Sequence, residues 1–231
     1  AALMVDGKLD DFLVDSDAPR VGTVYRAIAD RPVKGQGGMF LKTPDGAAFL
    51  RQIKGLAPGQ TILVQVSGHA EPGKAIPVTN KLLFKSRYAI VTPDAPGLNI
   101  SRSIKDEEER DRLLEIAHEA AGGADLGLIL RSSCAGADGE DIAEDIANML
   151  ALADTVANDD AQEMEVLSEG DGPHLLAWRD WTAPAEVVTE AGALPIMGYW
   201  KSSTACPPPK CRLVAGRRSL SSRPARWWPW M

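Results

Sequence analysis

The chain has 231 residues, with 25 Lys+Arg against 32 Asp+Glu for a net charge of −7, and is 45% hydrophobic and 25% charged, proportions ordinary for a soluble globular protein of one large or two small domains. No uncharged stretch approaches the ~18–20 apolar residues of a membrane span, and Asp6, Asp10 and Asp11 stand where a signal peptide would be. Three cysteines (Cys134, Cys206, Cys211) do not make a disulfide framework, so the expectation is a cytoplasmic protein with no membrane partner.

Leu3-Met4-Val5, Asp6-Gly7 and Phe12-Leu13-Val14 read as a β-hairpin over residues 3–15, because Asp-Gly is a strong two-residue turn signal. Five short strand-like runs follow: Val21–Ile28, Gly38–Lys42, Ala47–Arg51, Thr61–Val66 and Ala75–Thr79. Pro32, Pro44-Asp45-Gly46, Pro58-Gly59 and Pro72-Gly73 punctuate them. Five strands in so short a span predict a small closed barrel of the OB type, with a further strand, Tyr88–Thr92, leading out of it.

The period then changes. Ser103-Ile104-Lys105-Asp106-Glu107-Glu108 before Leu113, Leu114, Ile116 and Ala117 predicts a capped amphipathic helix ended by Gly122-Gly123. Leu126–Arg131 reads as a buried strand. A helix from about Asp138 to Ala157 carries Ile142, Ile146, Met149, Leu150 and Leu152 on one face. Residues 163–180 read as two strands around Glu169-Gly170-Asp171-Gly172. The fold class is α+β: a hairpin (1–18), an OB barrel (19–85), a small α/β segment (86–192) and an irregular tail (193–231).

That tail holds seven basic residues and no Asp or Glu, which leaves the first 192 residues at −14. It also holds four of the six Trp and six of the sixteen Pro, without helical or strand periodicity. Either a basic disordered extension or an out-of-frame translation would produce such a composition.

Phe40 and Phe49 lie on adjacent predicted strands, with Lys34, Lys42, Lys54, Lys74, Lys81, Lys85 and Arg87 around them in sequence. Aromatic faces for bases and dispersed cations for phosphates are what single-stranded nucleic acid requires; the alternative is that both rings are barrel core. Lys34-Gly35-Gln36-Gly37-Gly38 lacks the spacing of a nucleotide loop and reads as a tight turn. Arg131-Ser132-Ser133, after a buried strand, offers a cation, two hydroxyls and backbone N–H groups to a terminal phosphate, or is an ordinary polar turn. Asp138, Glu140, Asp141, Glu144 and Asp145 read as a solvated helix face. His69, His118 and His174 show no metal-ligand spacing, and no metal is assigned to Cys206 and Cys211.

The order of motifs resembles the ribonuclease E/G family of bacterial endoribonucleases. It rests on Val21-Gly22-Thr23-Val24-Tyr25-Arg26, Gly38-Met39-Phe40, Ala48-Phe49-Leu50 and Gly59-Gln60-Thr61-Ile62-Leu63-Val64-Gln65-Val66. Ser86-Arg87-Tyr88-Ala89-Ile90-Val91-Thr92-Pro93, Asn99-Ile100-Ser101-Arg102-Ser103-Ile104 and Gly127-Leu128-Ile129-Leu130-Arg131-Ser132 follow in family order. The resemblance implies an RNase-H-like N-terminal hairpin, an inserted S1-like OB domain and a segment sensing the RNA 5′-monophosphate. By match it assigns Phe40, Phe49 and Lys74 to RNA contact and Ser86, Ile90, Arg131 and Ser132 to the 5′-end pocket; Ser86 and Ser132 stand where some relatives have Gly and Thr. Single-stranded RNA is the implied partner, with self-association a second expectation. A non-catalytic OB adaptor, binding protein or any single strand, is the competing class.

The family's cleavage implies Mg²⁺ held by two Asp, the first on a strand resembling Ala-Val-Asp-Val-Asn, and many members carry a Cys-Pro-x-Cys zinc link. Neither motif occurs in the sequence, so no catalytic residue is assigned and the chain alone is expected to bind RNA without cutting it. Trp227-Trp228-Pro229-Trp230-Met231 constrains its codons enough that reading two bases later gives x-Val-Ala-x-Asp. A frameshift near 193–198 is therefore expected.

Overall fold

The computed structural model describes residues 1–33, 37–51, 53, 55–123, 126–183, 186–189 and 215–216. The chain divides into two compact bodies, residues 17–171 and residues 1–16 with 172 onward. In the smaller body, strands β1 (Ala2–Val5) and β2 (Lys8–Phe12) form the expected antiparallel hairpin. Asp6 (φ 49°) and Gly7 (φ 74°) are both left-handed, as a two-residue turn matched to strand twist requires. The backbone of Ala215–Gly216 pairs in parallel with β1. Otherwise the expectations about the tail, Cys206 and Cys211 included, fall outside the described residues.

The second strand expected within 163–180 is instead a helix, Pro173–Asp180. Pro173 at its first turn pre-sets φ where the missing N–H has no acceptor anyway, and Leu175, Leu176 and Trp178 do not alternate. Trp181 Nε1 donates to Asp11 Oδ2 at 3.1 Å, within the same body.

The larger body opens with the expected barrel: β3 (Val24–Val33), β4 (Gly38–Thr43), β5 (Gly46–Leu50), β6 (Thr61–Val66) and β7 (Ile76–Thr79). The strands are ordered β3-β4-β5-β7-β6, and β6 pairs back onto β3, so the sheet closes. Only β5 and β7 run parallel, which together with closure is OB topology. Period-2 alternation fills the interior with Met39 and Leu41 of β4, Ala48 and Leu50 of β5, and Val64 and Val66 of β6. Tyr25 is fully buried there, and its hydroxyl donates to Asp45 Oδ2 at 2.5 Å, fixing the β4–β5 turn; burial, then this hydrogen bond, pushes the phenol's pKa up.

The α/β segment places β8 (Phe84–Lys85), β9 (Ala89–Thr92), β10 (Gly97–Ile100) and β11 (Gly127–Leu130) in one sheet, ordered β10-β11-β9-β8. β10, which sequence reading passed over, runs parallel to β11, and helix α1 (Glu107–Ala121) lies on the crossover between them. Asp106 caps α1 by accepting from the N–H groups of Glu108 and Glu109, and Gly122 (φ 56°) ends it in the left-handed conformation. Helix α2 (Gly139–Ala157) buries Ile142, Ile146, Ala153 and Val156 against α1 and the sheet, in one core with Val24 of the barrel. Gln65, also buried, donates to the carbonyls of Gly22 and Leu83 and accepts from Leu83 N–H, so its amide joins barrel to segment without an unmet polar group.

After α2 the chain returns to the barrel as β12 (Glu165–Ser168), antiparallel to β3. Arg26 anchors this return. Its guanidinium grips Asp159 in a fork at 2.5 Å on both arms and also donates to the Glu163 carbonyl and Glu165. No helix among the described residues is long and apolar enough to cross a membrane.

Candidate functional site

Two groups of sequence-predicted residues occupy two places in the larger body. The first is on the outside of the barrel. Because Met39, Leu41, Ala48 and Leu50 take the interior, Phe40 and Phe49 must project outward, half-buried rather than core. They are direct cross-strand neighbours, with ring centroids 5.3 Å apart and planes tilted by 49°. Phe49 lies over Gly38: a Cβ at Gly38 would stand 2.5 and 2.6 Å from its ring carbons. The pair is thus a seated platform of the kind that stacks bases or packs against apolar groups.

Arg31, which sequence reading did not single out, completes the row. A bulge between Ala29 and Arg31 sets it opposite Phe40, with its guanidinium carbon 5.1 Å from the Phe40 centroid. Lys74 is exposed in the turn before β7, its ammonium 2.5 Å from Glu71. Lys42 pairs with Asp30 at 3.5 Å. Lys34, Lys54 and most of the glycine-rich turn lie outside the described residues.

The second place is the corner where residues 86–89 meet the end of β11. Arg131 is half-buried, and its Nη1 donates to the carbonyls of Ser86 (2.5 Å) and Arg87 (3.2 Å), while its own N–H donates to the Tyr88 carbonyl. Residues Ser132–Cys134 make a 3-10 turn with Ser132 exposed. Ser133 Oγ donates to the Arg87 carbonyl, and Cys134 Sγ to the Tyr88 carbonyl at 3.2 Å. Several backbone donors of the turn are already used: Cys134, Ala135 and Ala137 bond within it and Gly136 donates to Glu109. Ser132 and Ser133 supply its first two N–H groups, which have no acceptor inside the turn. Ile90, half-buried on β9, stands opposite Ile129 and Lys85. Ser86, Arg131 and Ser132 are therefore brought to one corner with Ile90 close by in the sheet.

Asp145 is the residue that the helix-face reading misplaced. It accepts from Ser86 Oγ (2.5 Å) and Tyr88 N–H (2.9 Å), so it points at the corner and not at solvent. Burial raises its pKa, and the hydrogen bonds from Ser86, Tyr88 and Ala89, with Arg131 nearby, work against that shift. Three residues after Ile142 and one before Ile146, it belongs on the buried stripe of α2, a period the sequence did display. Glu140, Asp141 and Glu144 are exposed or nearly so, and Asp138 is the helix cap, accepting from Glu140 N–H. Across the corner, Glu109 accepts a fork from Arg112 (2.8 and 2.7 Å) and a bond from Gly136 N–H (2.9 Å), which hold its carboxyl down at about 2.

Among the described residues no three His, Cys, Asp or Glu gather to hold a metal ion.

The profile of the ribonuclease E/G family matches residues 84–187, the segment containing the Arg131 corner. Among curated proteins, ribonuclease E of Nostoc sp. is 28% identical over 167 residues, covering 63% of this chain and 24% of its own length. Ribonuclease G of Salmonella typhimurium is 28% identical over 167 residues, covering 61% of this chain and 34% of its own length. A probable ribonuclease of Staphylothermus marinus is 32% identical over 101 residues, covering 41% and 21%. The chain thus spans a quarter to a third of the length of the two longer-matching relatives.

Proposed function

We propose that this chain, whose residues 84–187 match the ribonuclease E/G family, is an RNA-binding, 5′-end-sensing portion of such an endoribonuclease, acting on single-stranded RNA in processing and decay. The observation that carries the reading is the Phe40–Phe49 pair, which stands on the outer face of a closed barrel and not in its core. One base stacked on such a surface contributes ~1–3 kcal/mol without sequence preference. The Arg131–Ser132 corner serves as the terminal-phosphate site. The guanidinium supplies charge held in place by two carbonyls, and the Ser132 hydroxyl with the first N–H groups of the turn supplies donors. Ser86 frames the corner: its hydroxyl holds Asp145 and its carbonyl holds Arg131. Net acidity does not oppose this, because binding rests on local surfaces and the −7 is a whole-chain sum.

The reading is one of binding; no step in it runs through a metal, and cleavage by this chain is not proposed. Affinity for matched 5′-monophosphate and 5′-hydroxyl oligoribonucleotides tests it. The monophosphate should bind tighter in the wild type, and the preference should vanish in Arg131→Lys and shrink in Ser132→Ala, with the Phe40→Ala loss equal for both RNAs. Equal affinity for the two ends in the wild-type chain would remove the sensing role, and indifference to Phe40→Ala would remove the platform.

A further inference from the structure

On the outside of the barrel Arg31 stands over a ring, while Lys74 and Lys42 are each paired with a carboxylate, and these cations are not equivalent. Arg31 is exposed, set in register against Phe40 by the bulge in β3, and has no ion-pair partner among the described residues. A ring partner, unlike a carboxylate, takes up none of the guanidinium's N–H donors in a fork, so they stay available to an acceptor beside the ring. Lys74 differs in that Glu71 stands 2.5 Å from its ammonium. While the pair is closed, a phosphate approaching that turn meets both charges at nearly the same distance, and their fields largely cancel. Lys42 is likewise matched by Asp30.

We propose that Arg31, and not Lys74, is the cation that binds the phosphate flanking a base stacked on Phe40 and Phe49. This rests on the reading that single-stranded RNA occupies the platform. Arg31, Phe40 and Phe49 are successive cross-strand neighbours on β3, β4 and β5, so a nucleotide whose base covers the rings carries its phosphate past the edge of the row that Arg31 occupies. The cation–ring contact keeps the long side chain over the platform before RNA arrives.

The test is the salt dependence of binding of a 5′-hydroxyl oligouridylate to the full chain, which leaves the terminal-phosphate corner out of the measurement. One phosphate contact to a single strand contributes about 0.7 to the slope of log affinity against log salt. Arg31→Gln is expected to flatten the slope by about that amount, Arg31→Lys to retain it, and the double variant Glu71→Gln with Lys74→Gln, which removes both members of the pair, to leave it unchanged. Because Arg31 is exposed, its variants should unfold at the wild-type denaturant midpoint, which separates lost contact from lost fold. A slope unchanged in Arg31→Gln but flattened in the Glu71→Gln, Lys74→Gln double variant, with Phe40→Ala still weakening binding, would overturn the assignment while leaving the platform intact. Binding indifferent to Phe40→Ala would overturn both.

Discussion

Gly38→Ala adds one methyl group where the structure leaves no room for it. The new Cβ would stand 2.5 and 2.6 Å from two carbons of the Phe49 ring and 3.0 Å from the Leu50 carbonyl oxygen. Gly38 does not have positive φ, so alanine's backbone conformation is allowed and the whole effect passes through that contact. Overpacking of this kind costs about 1–3 kcal/mol, and the lower entropy of an unfolded chain with alanine returns about 0.4–1 kcal/mol. The net expectation is a destabilisation of roughly 0–2.5 kcal/mol. In a Phe49→Ala background the ring is gone and only the 3.0 Å approach to the Leu50 carbonyl oxygen still opposes the entropic gain, so the same substitution should become much less destabilising. Denaturant midpoints of the four chains (wild type, each single variant, the double variant) give the coupling, expected at about 1–3 kcal/mol. The same displacement of Phe49 should weaken binding of a single-stranded oligoribonucleotide, up to the ~1–3 kcal/mol of one stack. Equal destabilisation by Gly38→Ala in both backgrounds would refute the claim that Gly38 is what seats Phe49 on the outer face.

Lowering the pH from about 4.5 towards 2 should destabilise the protein, because Glu109 is held at about 2 by the Arg112 fork and the Gly136 N–H; its contribution is present above the unfolded pKa and lost as the carboxylate protonates. Glu109→Gln should flatten the stability profile across that window in acid titrations. Asp145 has the opposite sign: burial raises its pKa, so its cost appears as pH rises through the folded value, and Asp145→Asn should be more stable relative to wild type at pH 7 than at pH 4. The Cys134 thiol, buried and pushed up to about 12 chiefly by that burial, should resist iodoacetamide at pH 8 until denaturant is added, as read by mass mapping of that peptide. Ile142→Ala and Ile146→Ala, at fully buried positions on α2, should each cost about 2–5 kcal/mol by chemical denaturation.

Much of the fold was legible because its signals are local. Proline and glycine turns at short spacing announced the five barrel strands, Asp6-Gly7 the hairpin, and the run Ser103–Glu108 with Gly122-Gly123 the two ends of α1. The strand Gly97–Ile100 was not, since its alternation of Leu98 and Ile100 with Gly97 and Asn99 runs for only four residues, and its extended form is held by a parallel partner, β11, beyond the α1 crossover. The helix at Pro173–Asp180 was missed because two glycines were read as a hairpin turn when the proline after them begins a helix.

For the candidate site, the residues themselves set the chemical inventory: two phenylalanines on neighbouring strands, an arginine followed by hydroxyls after a buried strand, and a charge balance that denies any whole-surface attraction to RNA. Tertiary structure decided which of these could act. Closure of the barrel turned Phe40 and Phe49 outward, since a period-2 strand with Met39 and Leu41 inside leaves only the outer face for its neighbours. A bulge brought Arg31 over a ring, and a single turn set Glu71 against Lys74. Packing of α2 across the sheet carried Asp145 into contact with Ser86, 59 residues away. Composition and periodicity specify a residue's chemistry and the side of its own element. Whether a charge is spent within the protein or left for a ligand depends on residues distant in sequence, and only the folded chain brings those together.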